Sequence, residues 1–168
     1  MSIFKKQISN EEQAKNIGVI LGENVDIGND VFWGSEPYLI KIGDNTTIAG
    51  KTTFITHDGG VRIMRKLRND YSFDLVKPII IGNNSFIGMN STILYGVKIG
   101  NNVLVGACSL VNKDLEDNFV YAGVPAKKIC SIEEFYKKHE AELLPTKQLD
   151  PEAKKEFLLK KFGKDLNL

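Results

Sequence analysis

The chain has 168 residues, 42% of them hydrophobic and 26% charged, with a net charge of +1; this suits one globular domain with at most an appendage and gives no general electrostatic case for nucleic acid. No apolar run approaches the roughly 18 residues needed to cross a bilayer, and the opening MSIFKKQISNEEQ has two lysines with no apolar core behind them, so neither a transmembrane helix nor a secretory signal is expected. Cys108 and Cys130 stand 22 positions apart and form neither a disulfide framework nor a CxxC motif, for which a cytoplasmic location is the simplest expectation.

In chain order, residues 1–18 are expected to form an N-terminal cap, with a short helix over 9–16 (SNEEQAKN). A six-residue pattern begins at Leu21: an aliphatic residue, usually Gly next, two polar residues, then a small or β-branched one. It reads LGENVD, IGNDVF, WGSEPY, then pauses for Leu39 to Lys41 and resumes as IGDNTT, IAGKTT, FITHDG. Residues 60–80 break it. From Ile81 it runs IGNNSF, IGMNST, ILYGVK, IGNNVL, VGACSL, VNKDLE.

The uninterrupted blocks hold three, three and six hexads. A hexad supplies one short strand and one corner, so three close a triangular coil of 18 residues. The expected coils are 21–38, 42–59, 81–98 and 99–116, and both insertions fall between coils. The aliphatic position points inward and stacks on its equivalents, as in Ile42, Ile81 and Ile99. The Gly after it is expected to relieve the corner through positive φ, helped by Asn and Asp, which tolerate that region. Such a stack is stabilised between neighbouring coils and needs caps at its ends. Helical spacing is missing between 19 and 112, and Gly is too frequent there for helix interiors. An antiparallel sandwich would leave the fixed six-residue phase unexplained.

Residues 117–130 (DNFVYAGVPAKKIC) read as a turn-rich exit. Helical pattern follows over 131–168. Ser131 can cap a first helix that Pro145 ends, and Asp150-Pro151-Glu152 opens a second that Gly163 stops. Ile132, Phe135, Phe157, Leu158 and Phe162 give these helices apolar faces for the β-helix or for another subunit.

The hexads, with ITHDGG (55–60), NDYSF (69–73), PIIIGNNSFIG (78–88), GACSLVNKD (106–114) and AGVPAKKI (122–129), resemble the hexapeptide-repeat acyltransferase superfamily over residues 19–130. Within it the chain looks most like the sugar O-acetyltransferases of the galactoside/maltose and capsular-polysaccharide groups. The resemblance implies an all-β fold, a left-handed parallel β-helix of about four coils with a long loop after the second and a C-terminal helical appendage. It also implies acetyl coenzyme A as acyl donor, no metal, and a homotrimer with the active site between subunits.

His57 ends the second coil just before the 21-residue break. The resemblance makes it the general base that takes a proton from the acceptor hydroxyl. The chemistry needs such a group, because a sugar hydroxyl is a poor nucleophile while it holds its proton and imidazole accepts protons near neutrality. Asp58 either orients the ring or ends the strand; the second is simpler, since neighbours on a strand point opposite ways. His139 lies in the helical tail and is expected to be solvated. The loop carries Arg62, Arg65, Lys66, Arg68 and Lys77 against Asp70 and Asp74, with Tyr71 and Phe73 among them, a composition suited to closing over an anionic or sugar ligand. Asp58, Arg65, Tyr71, Asn84 and Asn90 make up the expected acceptor side.

For the donor, the resemblance carries Gly88, Met89, Gly106, Ala107 and Asn112 over as contacts along the pantetheine arm, and Lys127 and Lys128 near the nucleotide phosphates. Corner geometry accounts for the glycines with or without a ligand. Neither cysteine has a histidine near it in sequence, so direct transfer is simpler than a covalent intermediate. Three alternatives stand beside sugar O-acetylation: N-acetylation of a nucleotide-linked amino sugar, acetylation of a xenobiotic, and a non-catalytic structural β-helix. The γ-class carbonic anhydrases share the hexads but need three zinc-binding histidines, where the expected β-helix has one.

Overall fold

The computed structural model describes residues 8–166; the first seven residues of the expected cap and the last two of the C-terminal extension lie outside them. Contacts divide the chain into two compact units, one running to Phe135 and the other starting at Tyr136.

The first unit opens with α1 (Asn10–Asn16), where Ser9 Oγ accepts from the Glu12 N–H at 3.2 Å, Glu11 and Glu12 sit at the positive end, and Ala14 is fully buried. The β-helix follows as β1 (Ile20–Leu21), β2 (Asp26–Ile27), β3 (Ile40–Ile42), β4 (Thr47–Ile48) and β5 (Thr53–Ile55). After α2 (Val61–Arg68) come β6 (Ile79–Ile81), β7 (Phe86–Ile87), β8 (Thr92–Leu94), β9 (Lys98–Ile99), β10 (Leu104–Val105), β11 (Leu110–Val111), β12 (Phe119–Ala122) and β13 (Lys127–Ser131).

These strands form three sheets: β1-β3-β6-β9, β2-β4-β7-β10-β12-β13 and β5-β8-β11. Every pairing between the strands from β1 to β12 is parallel, and from β3 to β11 each successive strand goes to the next sheet round. Partners lie 18 residues apart where hexads are uninterrupted, as in Ile81 with Ile99. The spacing is 21 from Leu21 to Ile42, across the three-residue pause, and 39 from Ile42 to Ile81, across the break.

The hexad positions fill the core. Ile42, Ile48, Phe54, Ile81, Ile87, Ile93, Ile99, Val105 and Val111 are at most 2% exposed, each contributing roughly 1.5–3 kcal/mol of burial. Leu21 and Trp33, in the first turn of the stack among the described residues, are half-buried. Buried hydroxyls tie successive turns: Thr46 Oγ1 donates to Gly82 O at 2.9 Å and Ser85 Oγ to Gly100 O at 3.0 Å. Among the described residues no buried side-chain polar atom lacks a partner.

The corner glycines have a different cause from the one expected. Positive φ does fall on two hexad glycines, Gly34 at 70° and Gly96 at 78°, but most of it, between 52° and 68°, belongs to Asn24, Asp30, Asn45, Lys51, Asn84, Asn90, Asn102, Cys108 and Asn118. The other glycines that follow an inward aliphatic residue are there for close approach: a Cβ on Gly43 would stand 2.7 Å from Gly82 C, and one on Gly88 2.5 Å from Ala107 N.

Four further expectations are corrected. The break 60–80 holds a helix, α2. The sixth hexad of the long block is cut short, since Leu115 bridges Ile99 after 16 residues. The exit 117–130 extends the second sheet through β12 and folds back as antiparallel β13. The helix after Ser131, α3 (Ile132–His139), ends six residues before Pro145; its start is a capping box, with Glu134 N–H on Ser131 Oγ at 3.1 Å and Ser131 N–H on Glu134 Oε2 at 2.8 Å. In the second unit α4 (Pro151–Phe162) has the expected Asp150 cap and Gly163 stop.

Candidate active site at the His57 corner

His57 leaves the end of β5 at the corner between the third sheet and the first. The chain returning from α2 holds it there: Asp58 N–H donates to Leu75 O at 2.9 Å and Lys77 N–H to Thr56 O at 3.0 Å. Glu36 occupies the same corner one turn earlier, 21 residues back. Its Oε2 lies 3.2 Å from His57 Nδ1 and also accepts the hydroxyl of fully buried Thr56. A carboxylate only accepts, so Nδ1 carries the proton and Nε2 is the basic nitrogen. The ring is 40% exposed and Glu36 22%, so the imidazole is reachable from solvent while its partner is held.

A cleft of about 510 Å³ surrounds the ring, lined by Ser35, Glu36, Asp58, Val61, Arg62 and Arg65 among others. Asp58 does not orient His57. Its Oδ2 accepts from Tyr95 OH at 2.6 Å and its Oδ1 from Gly60 N–H at 2.7 Å, so it fastens the start of α2 to the next turn. The Tyr95 hydrogen bond, with that of Gly60, holds the Asp58 carboxyl below its ordinary value, and the same bond pushes the Tyr95 phenol up. A lowered carboxyl stabilises the fold above the ordinary carboxylate range and loses that contribution as pH falls through the lowered value. The raised phenol contributes below its ordinary value, near ~10, and loses it as pH rises further. Tyr95→Phe should therefore flatten the acid limb of stability, measured as urea midpoints between about pH 3 and 6; an acid limb as steep as the parent's would exclude the tie.

Arg65 lines the cleft but is committed to structure: Nε donates to Phe73 O at 2.7 Å and Nη2 pairs with Asp74. Tyr71 is 67% exposed and does not line the cleft. Asn84 and Asn90 stand on the two other corners of the prism, each in a column of residues with positive φ. Asn84 Nδ2 donates to Asn102 Oδ1 at 3.3 Å, and Asn102 Nδ2 to Asn118 Oδ1 at 2.8 Å. Of the expected acceptor set, only Asp58 and Arg65 share the His57 cleft within one chain. His139 is paired with Glu142, 2.8 Å away.

Gly88, Met89, Gly106 and Ala107 cluster on the corner between the second and third sheets, and Asn112 follows β11 on the far edge of the third sheet. The candidates thus flank one flat face, β5-β8-β11, which ends at the His57 corner. Met89 and Ala107 are exposed there. Lys128 pairs with Glu116, which holds its ammonium above the ordinary range, and lies 3.6 Å over the Phe119 ring. Lys127, beside it on β13, is exposed with no ion pair among the described residues, and is the lysine of the two available to a phosphate.

Sequence reasoning passed over Glu36 and Tyr95. The signal for Glu36 was present: three hexads plus the three-residue pause put it in register with His57. Tyr95 stands next to the paired end of β8, Leu94, whose partner is Ile55 of β5.

The six-repeat bacterial transferase hexapeptide model matches residues 78–113. Protein CapG of Staphylococcus aureus is 46% identical over 165 residues, covering 96% of this chain and 94% of CapG. The galactoside O-acetyltransferase of Escherichia coli K12 is 39% identical over 117 residues, 66% of this chain. This alignment covers 56% of that enzyme. A solved structure, a hexapeptide-repeat-containing acetyltransferase from Vibrio cholerae complexed with acetyl coenzyme A, matches with a TM-score of 0.59 at 31% identity, over 68% of this chain and 60% of the other.

Proposed function

We propose that this chain, which belongs to the bacterial hexapeptide-repeat transferase family, is an acetyl coenzyme A-dependent O-acetyltransferase acting on a sugar or polysaccharide-precursor hydroxyl. With the family goes the left-handed winding of the parallel β-helix. The observation that carries the reading is the Glu36–His57 pair, with its partly exposed imidazole, at the edge of the flat face that the donor candidates flank.

His57 Nε2 takes the acceptor's hydroxyl proton as the oxygen attacks the thioester carbonyl. The new C–O bond replaces the C–S bond, and the departing sulfur takes the proton from the imidazolium. Glu36 holds the ring in the productive tautomer and faces the charge it gains. Gly88, Met89, Gly106, Ala107 and Asn112 border the donor's arm, and Lys127 meets its phosphates. A homotrimer, in which a second copy closes the flat face, completes the proposal. The likeness to a galactoside O-acetyltransferase supports O-transfer to a sugar over the N-acetylating and non-catalytic alternatives.

The test is release of free thiol from acetyl coenzyme A in the presence of sugar acceptors. Glu36→Gln should lower kcat by about 10- to 100-fold, the weight of one hydrogen bond to a charged group, while KM for the donor holds. A variant as fast as the parent would remove Glu36 from the mechanism.

A further inference from the structure

We infer that the N-terminal end of the β-helix carries a second binding site, for a neutral sugar unit, apart from the His57 cleft. Trp33 is the first member of the column Trp33, Phe54, Ile93, Val111. Its indole stacks on Phe54 with centroids 5.0 Å apart and planes 3° from parallel. Among the described residues no turn of the stack precedes Trp33, and none of the column's core residues lies on the opposite face of the indole. α1 covers part of this end, with Ala14 fully buried. Between α1 and the indole lies a cleft of about 500 Å³, lined by Asn10, Gln13, Asn29, Asp30, Val31 and Trp33 among others.

The chemistry of this wall is selective. Asn10 Nδ2 donates to Ile27 O at 2.8 Å and to Asn29 Oδ1 at 3.1 Å. That fixes both amides and leaves Asn10 Oδ1 as an acceptor and Asn29 Nδ2 as a donor. The Asp30 carboxylate has no hydrogen bond or ion pair among the described residues and adds two acceptor oxygens. Among the described residues no Lys or Arg lines the cleft, so a phosphate or carboxylate ligand would face Asp30 uncompensated there. An apolar ligand would strip water from amides and a carboxylate without replacing it. A neutral pyranose answers all of these. Its C–H face lies on an aromatic ring, its hydroxyls donate to Asp30 and Asn10, and one oxygen accepts from Asn29.

The site stands independently of acetyl transfer, and the protein carries its own reporter, because Trp33 is the single tryptophan. Titrating the full chain with maltotriose should give a saturable change in Trp33 emission. Asp30→Asn and Asn29→Ala, both at exposed positions, should each weaken that binding about tenfold. His57→Ala should leave it unchanged, and glucose 6-phosphate should not reproduce it. The absence of a saturable change would overturn the proposal. So would a titration indifferent to both wall variants, or an equal response to glucose 6-phosphate. Loss of the response in His57→Ala would place the sugar in the catalytic cleft and overturn the second site.

Discussion

His57→Ala should lower kcat for acetyl transfer by roughly 10²- to 10⁴-fold, the contribution of a positioned general base, and leave affinity for acetyl coenzyme A nearly intact. The separation follows from where things stand. The imidazole is at a corner and 40% exposed, so its loss leaves no core cavity. The donor candidates Gly88, Met89, Gly106 and Ala107 lie across the width of the third sheet from it. Glu36 keeps the Thr56 hydroxyl as partner when the ring is gone. Steady-state thiol release together with calorimetric binding of acetyl coenzyme A measures both quantities. Parent-like turnover would end the base assignment, whereas joint loss of turnover and donor binding would make His57 a donor contact. Glu36→Gln, acting only through the ring, should fall between His57→Ala and the parent.

The repeat was legible in the sequence because in this fold phase and packing are the same fact. Each hexad repeats one inward side chain per side of the prism, so reading every sixth residue names Ile42, Ile48, Phe54, Ile81, Ile87 and Ile93, all buried. The glycines illustrate a limit to such reading. Positive φ and close approach both favour a residue without a Cβ, and only coordinates separate them: the next turn passes above Gly43 and Gly88, while the left-handed backbone falls on the Asn two positions later. Asn tolerates that conformation, and its side chain also joins the ladder through Asn84, Asn102 and Asn118. The shortened sixth hexad was hidden because VNKDLE keeps an aliphatic residue near the expected place. The structure closes that side two residues early at Leu115.

The site was harder to read because its parts come from different turns. His57 could be singled out as a lone imidazole beside a break in the period. Its carboxylate partner could not be found among its neighbours, since adjacent positions on a strand diverge and Asp58 points to Tyr95. The partner instead stands one turn away. The basic loop looked like a ligand-binding lid, and the structure places its Arg62 and Arg65 on the wall of the His57 cleft. Arg65 staples α2 to Phe73 and Asp74, while buried Val61 sets the helix so that Ile63, Met64 and Leu67 face outward, 57–81% exposed.

Phe54→Ala should cost about 3–5 kcal/mol of stability, as expected for an aromatic removed from a closed core. Phe54 is fully buried and among the largest such side chains in the described chain. It lies between Trp33 on one side, at 5.0 Å, and Ile93 in the paired turn on the other. Because each turn is held chiefly by its neighbours, the cavity weakens two interfaces at once and the stack cannot close over it without moving β5. Against a total of about 5–15 kcal/mol, the loss should lower the melting temperature by roughly 6–20 °C. Phe32→Ala, one turn earlier where Phe32 bridges Thr53 of β5 but 59% exposed, should change stability by at most about 0.5 kcal/mol. Denaturant unfolding followed by circular dichroism compares the two. Equal costs would mean that the column is not what holds the coils together. β5 runs directly into Thr56 and His57, so Phe54→Ala should also slow acetyl transfer at temperatures where the variant is still folded, through the base's placement, with donor affinity retained.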